Sequence, residues 1–249
     1  MAPHVFLVEP SAVPDSRGIV ALEGDEARHA AQVVRLRVGE RVDLVDGVGR
    51  RLSGEVATVR RDRVDVMIVD VATDPPPSPR IVAVQALAKG DRGERAIEAM
   101  TEVGVDVVIP WSAERSVSRW VGDKAQRGVE KWRATARAAA KQARRSRLPE
   151  VVSLHSTQEL EPWIAGATLA VCLDESSAHD LAAMAVPASG DIVLIVGPEG
   201  GVSDAERELL VGYGARPGRL GPSVMRTSTA GPVAAAVVLS RTPRWGSPA

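Results

Sequence analysis

Two glycine-bearing loops near the C-terminal end hold the residue types that could do chemistry. The first runs Gly197-Pro198-Glu199-Gly200-Gly201-Val202-Ser203, the second Leu220-Gly221-Pro222-Ser223-Val224-Met225-Arg226-Thr227. Glycine lets a backbone turn sharply and approach a ligand closely. The loops carry one carboxylate, Glu199, and one guanidinium, Arg226. A carboxylate can accept a proton or hold a backbone group, and a guanidinium can steady developing negative charge or orient a phosphate. Nothing else in the chain competes as a reactive centre. Gly-x-Ser-x-Gly is absent, and the histidines His4, His29, His155 and His179 are scattered without metal-ligand spacing, so no metal is expected. Gly197-Pro-Glu-Gly-Gly misses the dinucleotide fingerprint, and the Walker pattern is missing too. The residues therefore suit a glycine-lined pocket where a cofactor does the chemistry and the protein positions an anionic substrate.

These loops need elements to hold them. Residues 192–196 form a continuous apolar run, the pattern of a strand buried on both faces. Ser203 followed by Glu206 is a capping box and starts a helix over 203–212. Strand, glycine loop and helix is how α/β folds present N–H groups to a ligand, although a plain tight turn has the same signature. The alternation extends upstream. Strands are predicted at 81–88, 106–109, 151–154, 168–173 and 218–220, and helices at 93–103, 123–146, 158–164, 178–185 and 228–240. This βα alternation implies an α/β domain with a mostly parallel sheet covered by helices, ending in a frayed tail over 243–249.

Residues 1–73 follow another pattern. Short apolar runs at 5–8, 18–22, 41–45, 52–59 and 64–69 are divided by turn signals, and one helix, capped by Asp25, reaches towards Gly39. Five strands and a helix suggest a small β-barrel. Asp74-Pro-Pro-Pro-Ser-Pro79 then holds four prolines in six residues, so 74–79 reads as a stiff linker between a 1–73 domain and an 80–249 domain.

Composition adds bounds. A hydrophobic share of 45% supports a sizeable core, and the net charge of −1 points to no partner. The lone Cys172 excludes an internal disulfide. No signal peptide or run of membrane-spanning length is visible, which predicts a cytoplasmic protein. Local charge says more. From Arg115 to Arg147 the chain has eleven Lys and Arg residues against only Asp123 and Glu130. Such density reads as a nucleic-acid-binding arm, or else as charge complementing a helix dipole. The N-terminal arginines, among them Arg35, Arg37, Arg50 and Arg51, are either a solvated face or a nucleic-acid surface. Trp111, Trp120 and Trp132 read as core or interface residues rather than base-stacking platforms.

At this point the chain resembles a known family. Gly197-Pro-Glu-Gly-Gly-Val-Ser with Glu206, then Leu220-Gly-Pro-Ser-Val-Met-Arg-Thr, resembles the SPOUT superfamily of S-adenosylmethionine-dependent RNA methyltransferases. Val34-Arg35-Leu36-Arg37, Asp46-Gly47, Lys89-Gly90, Glu102-Val103-Gly104-Val105, Glu114-Arg115-Ser116 and Gln142 with Arg145, Arg147 and Pro149-Glu150 narrow the likeness to the RsmE type. The resemblance implies methylation of N3 of one uridine of 16S rRNA, the one known as m3U1498, by a homodimer whose active sites lie near the subunit interface. It also implies a PUA-like N-terminal barrel that holds rRNA and a C-terminal domain tied in a trefoil knot. S-adenosyl-L-methionine would rest against Leu173, Gly197, Gly200, Gly201, Leu220, Gly221, Val224 and Met225. Arg226 and Glu199 would be catalytic, and Arg35, Arg37, Lys89, Arg115, Arg145 and Arg147 would contact RNA. An rRNA-binding assembly factor without turnover is the rival. Two departures stand out: Ser228 replaces a usual glutamate, where it could cap the last helix, and Arg144 replaces a usual glycine.

Overall fold

The computed structural model describes residues 3–12 and 17–246. They group into two compact units. One is the chain up to Pro76 together with Ala140–Leu148; the other is Pro77–Ala139 together with the chain from Pro149 onward.

Period-two alternation builds the first unit. Strands β1 (His4–Leu7), β2 (Ile19–Glu23), β3 (Arg41–Val45), β4 (Arg50–Val59) and β5 (Arg63–Thr73) form one sheet in the order β1-β3-β4-β5-β2. The β1–β3 pair is parallel and the other pairs are antiparallel. Alternate residues such as Phe6, Leu22, Leu44, Leu52, Val64 and Val66 turn inward to one apolar core. Helix α1 (Gly24–Arg28) closes that core with Ala27, and a π-helical turn over His29–Val34 adds Ala30. The expected helix is thus shorter and differently started. Glu23, not Asp25, is the N-cap residue, and no side chain caps it. The helix stops because Arg35 takes the left-handed conformation (φ 60°), and Leu36 N–H bonds back to the Ala30 carbonyl.

The basic segment ends in the same way. The helix predicted to Ser146 stops at Gln142, because Arg144 is left-handed (φ 56°). Beyond Ala139 this stretch is no free helical arm. Lys141 Nζ donates to both Glu26 oxygens at 2.7 and 2.8 Å. Arg51 donates to the Arg144 carbonyl at 2.7 Å. Arg147 donates to the carbonyls of Asp74 and Pro75 at 2.8 and 3.2 Å. Glycine is the residue this backbone favours at position 144, because a β-carbon in that conformation costs about 1–2 kcal/mol. Arg144→Gly is therefore expected to stabilise the N-terminal unit by roughly 1 kcal/mol, measured by denaturant midpoint; an unchanged or lower midpoint contradicts the strain.

Continuous apolar runs build the second unit. Strands β6 (Arg80–Ala86), β7 (Val107–Trp111), β8 (Glu150–Val151), β9 (Leu169–Leu173), β10 (Asp191–Val196) and β11 (Arg216–Gly218) make a wholly parallel sheet ordered β11-β9-β10-β6-β7-β8. Along β6, Ile81 and Ala83 face one apolar layer and Val82 and Val84 the other. Both faces are covered, as such runs require. Helices α2 (Arg92–Val103), α3 (Asp123–Gln142, to Ala139 in this unit) and α6 (Thr227–Leu239) supply Ile97, Met100, Trp132 and Val238 to the first layer. Helices α4 (Glu161–Ala165) and α5 (Asp204–Gly212) supply Ile164 and Leu210 to the second. Trp111 and Trp132 are fully buried, and Trp120 packs edge-on against Trp132, as core residues should.

Four expectations need correction. Residues 178–185 form only a 3-10 turn over Leu181–Ala183, because Leu181 N–H and Arg219 N–H bond across to Arg219 O and His179 O instead of closing a helix. The 151–154 strand shrinks to β8. The 218–220 run sits at the end of β11, two residues late. The tail is anchored over 243–246: Arg244 donates to Asp106, Gly104 O and Pro79 O, and Asp106 also accepts Ile81 N–H. Residues 247–249 lie outside the described residues.

A glycine-lined cavity at the carboxyl ends of three strands

Strands β9, β10 and β11 end side by side, and beyond their carboxyl ends lies a cavity of about 610 Å³. Ligand sites in open α/β sheets occur at such ends, and the volume suits a ligand of cofactor size. All eight residues assigned to the cofactor line this cavity: Leu173, Gly197, Gly200, Gly201, Leu220, Gly221, Val224 and Met225. Glu199, Arg226 and Arg115 line it as well. The first loop leaves β10 and enters α5 through the expected capping box, in which Ser203 Oγ accepts Glu206 N–H and Glu206 accepts Ser203 N–H. Glycine is favoured at two points. Gly201 has φ +73°, and a β-carbon on Gly200 would come within 3.1 Å of Arg115 Cβ and O.

Arg115 is brought there by a tether the sequence did not reveal. Glu206 Oε1 accepts the N–H of Glu114 at 2.9 Å and the hydroxyl of Thr157 at 2.8 Å. The Glu206 carboxylate is buried and serves both the helix start and the 112–116 loop.

The two assigned catalytic groups stand in opposite surroundings. Burial raises the Glu199 carboxyl, but hydrogen bonds from its own backbone, from Lys89 N–H and from Arg92 outweigh it and hold the group below the usual range. Glu199 is thus an anion engaged with α2 and its preceding loop, a poor proton acceptor near neutral pH. Arg226 is exposed at the cavity, and among the described residues its guanidinium meets no acceptor. It is the N-cap residue of α6 and gives no side-chain cap. Ser228 is not the cap either; it lies within the first turn.

Several cavity residues escaped the sequence reading. Asp174 follows β9 directly, and its Oδ1 accepts the N–H and hydroxyl of Ser176 at 2.9 and 2.7 Å, while Arg207 Nε lies 3.2 Å from Oδ2. Its place after an apolar strand was the available signal. Cys172 also lines the cavity, with its thiol pushed up to about 12 by burial and by Asp174, so it stays neutral and is no nucleophile. Thr227 donates to Gly197 O at 2.8 Å and so ties the second loop to the first.

The positions assigned to RNA do not all share one situation. Arg35 and Arg37 are exposed on the first unit, and Lys89 and Arg115 on the second. Arg145 is half-buried and has a partner, and Arg147 donates from Nε and Nη2 to backbone carbonyls. No group of three or more possible metal ligands occurs among the described residues, and none of their helices is long and apolar enough to cross a membrane.

Residues 75–239 match the family model described as RNA methyltransferase domain, and residues 22–69 match the RNA methyltransferase PUA domain. With the parallel sheet and its glycine-lined cavity, these matches define an RNA methyltransferase of SPOUT type preceded by a PUA domain. A Mycobacterium bovis protein named ribosomal RNA small subunit methyltransferase E is 38% identical over 253 residues, covering 100% of this chain and 96% of its own. The Bacillus subtilis protein of the same name is 28% identical, covering 84% of this chain and 85% of its own. The chain belongs to the RsmE family of small-subunit ribosomal RNA methyltransferases. Among solved structures, a Legionella pneumophila methyltransferase in complex with SAM superposes with a TM-score of 0.86 at 26% identity, covering 97% of this chain and 99% of that one. The Neisseria gonorrhoeae methyltransferase E has the same fold, with a TM-score of 0.83 at 24% identity and coverage of 96% and 98%.

Proposed function

We propose that this protein methylates N3 of one specific uridine in 16S rRNA of the small ribosomal subunit, acting in the cytoplasm as a homodimer. S-adenosyl-L-methionine bound in the cavity would supply the methyl group. The observation that carries this reading is the cavity itself. Its lining combines apolar side chains (Leu173, Leu220, Met225), close-approaching glycine backbone and a cation at Arg226 that is unpaired among the described residues. That set fits an adenosyl group beside an anionic nucleotide, and the SAM-bound Legionella relative at 26% identity supports the same ligand.

Uridine N3 carries a proton at neutral pH, so attack needs the anionic base or concerted proton loss. Arg226 steadies the negative charge that grows on the uracil edge, or orients the nucleotide phosphate. Glu199, ionised and held by Lys89 N–H and Arg92, fixes the first loop rather than carrying the proton. In this reading residues 1–73 are an RNA-holding domain, 74–79 the linker and 80–249 the methyltransferase domain. Arg35, Arg37, Lys89, Arg115, Arg145 and Arg147 contact RNA, Arg147 with its Nε and Nη2 already bonded to backbone carbonyls. Calorimetric titration tests the ligand: S-adenosylmethionine is expected to bind once per chain, with no heat from NAD or ATP. Binding of NAD or ATP in its place overturns the reading.

A further inference from the structure

Strand β6 is apolar from Ile81 to Ala86 except at Gln85, which is fully buried. Its Nε2 donates to Ala86 O at 3.2 Å and to Thr227 Oγ1 at 2.9 Å. Ala86 O can only accept, so the amide's amino end must lie on this side. Thr227 then has a single proton left to give, and it goes to Gly197 O at 2.8 Å. The direction of the whole chain of bonds, Gln85 to Thr227 to Gly197, follows from donor and acceptor counts alone. Two of its three members belong to the cavity loops: Gly197 opens the first loop, and Thr227 closes the second beside Arg226.

The arrangement is costly. Gln85 Oε1 is buried without a partner among the described residues. A β-carbon on Gly231 of α6 would lie only 3.4 Å from it, so the helix packs tightly over that oxygen. An orphaned buried acceptor costs roughly 1–3 kcal/mol, and an apolar isostere would avoid it. What the amide supplies is geometry, since its two N–H bonds and the Thr227 hydroxyl bond are directional where apolar contacts allow several arrangements.

We propose that Gln85 and Thr227 are positioning residues that set the spacing of the two cavity loops and the aim of Arg226. The proposal rests on the function assigned above for its kinetic consequence, though not for its structural one. The test uses Gln85→Met, which removes the amide at similar volume, with Thr227→Val and the conservative Thr227→Ser. Hydrogen exchange on the full chain without ligand is expected to speed about tenfold at amides of 199–203 and 223–227 in the Met and Val variants, with β6 and β9 unchanged. In Gln85→Met the Tm is expected to hold or rise while kcat falls about tenfold or more and the KM for RNA stays put. Thr227→Ser should restore both readouts. Wild-type exchange in both loops overturns the proposal, as does a kcat loss that tracks a fall in Tm. Failure of the wild-type chain to methylate RNA would sink the function instead, and leave the exchange result to decide this point.

Discussion

Arg226→Ala is expected to slow methyl transfer to small-subunit RNA by about 100- to 1000-fold, with S-adenosylmethionine affinity and Tm unchanged. Removing one preorganised donor aimed at developing charge has a cost of that order. Three observations separate this effect from a folding defect. The guanidinium is exposed, it meets no acceptor among the described residues, and it gives α6 no side-chain cap. Nothing in the fold depends on it, so its loss should fall on the reaction. Arg226→Lys keeps the charge but loses the planar fork, and an intermediate rate is expected. Single-turnover kinetics with saturating cofactor make the measurement. A wild-type rate for the alanine variant removes Arg226 from the chemistry.

Asp106→Ala should have the largest effect on stability. The Asp106 side chain is only 7% exposed, and it accepts Ile81 N–H at 2.9 Å and both ends of the Arg244 fork at 2.6 and 3.1 Å. It joins the start of β6, the start of β7 and the turn after α6. Removing it leaves a largely buried guanidinium and an unpaired strand amide. Breaking one partner of such a pair costs about 3 kcal/mol or more, equivalent to a Tm fall of roughly 6–12 °C for a domain of this size. Differential scanning calorimetry reads it. Asp106→Asn, which still offers one acceptor, should lose less, and a shift under about 2 °C for the alanine would deny the clamp its role.

The parts that could be read from the chain share a physical reason. Ile192–Val196 and Ser203 with Glu206 signal strand and helix through local periodicity and capping, and both signals act within a few residues. The glycine loops were legible because glycine spacing marks backbone that must approach something. Several of the misses are bonds closed between distant residues. Nothing near Ala178 in sequence says that Leu181 N–H will bond to Arg219 O and Arg219 N–H to His179 O, so a short alanine-rich stretch reads as a helix and is none. Gln85 looks like an ordinary strand residue until Thr227, 142 positions away, meets it. Glu206 announced a helix start but not its second task of holding the Arg115 loop. Arg144 is the instructive middle case. The departure from glycine was visible, and its meaning came only with a φ of 56°.

In this reading the cavity serves methylation of a single rRNA uridine. Mass spectrometry of 16S rRNA from a strain lacking this gene tests it most directly. One N3-methyluridine is expected to disappear and to return when the wild-type chain, but not Arg226→Ala, is supplied. If every methylated uridine persists in the deletion strain, the account is wrong.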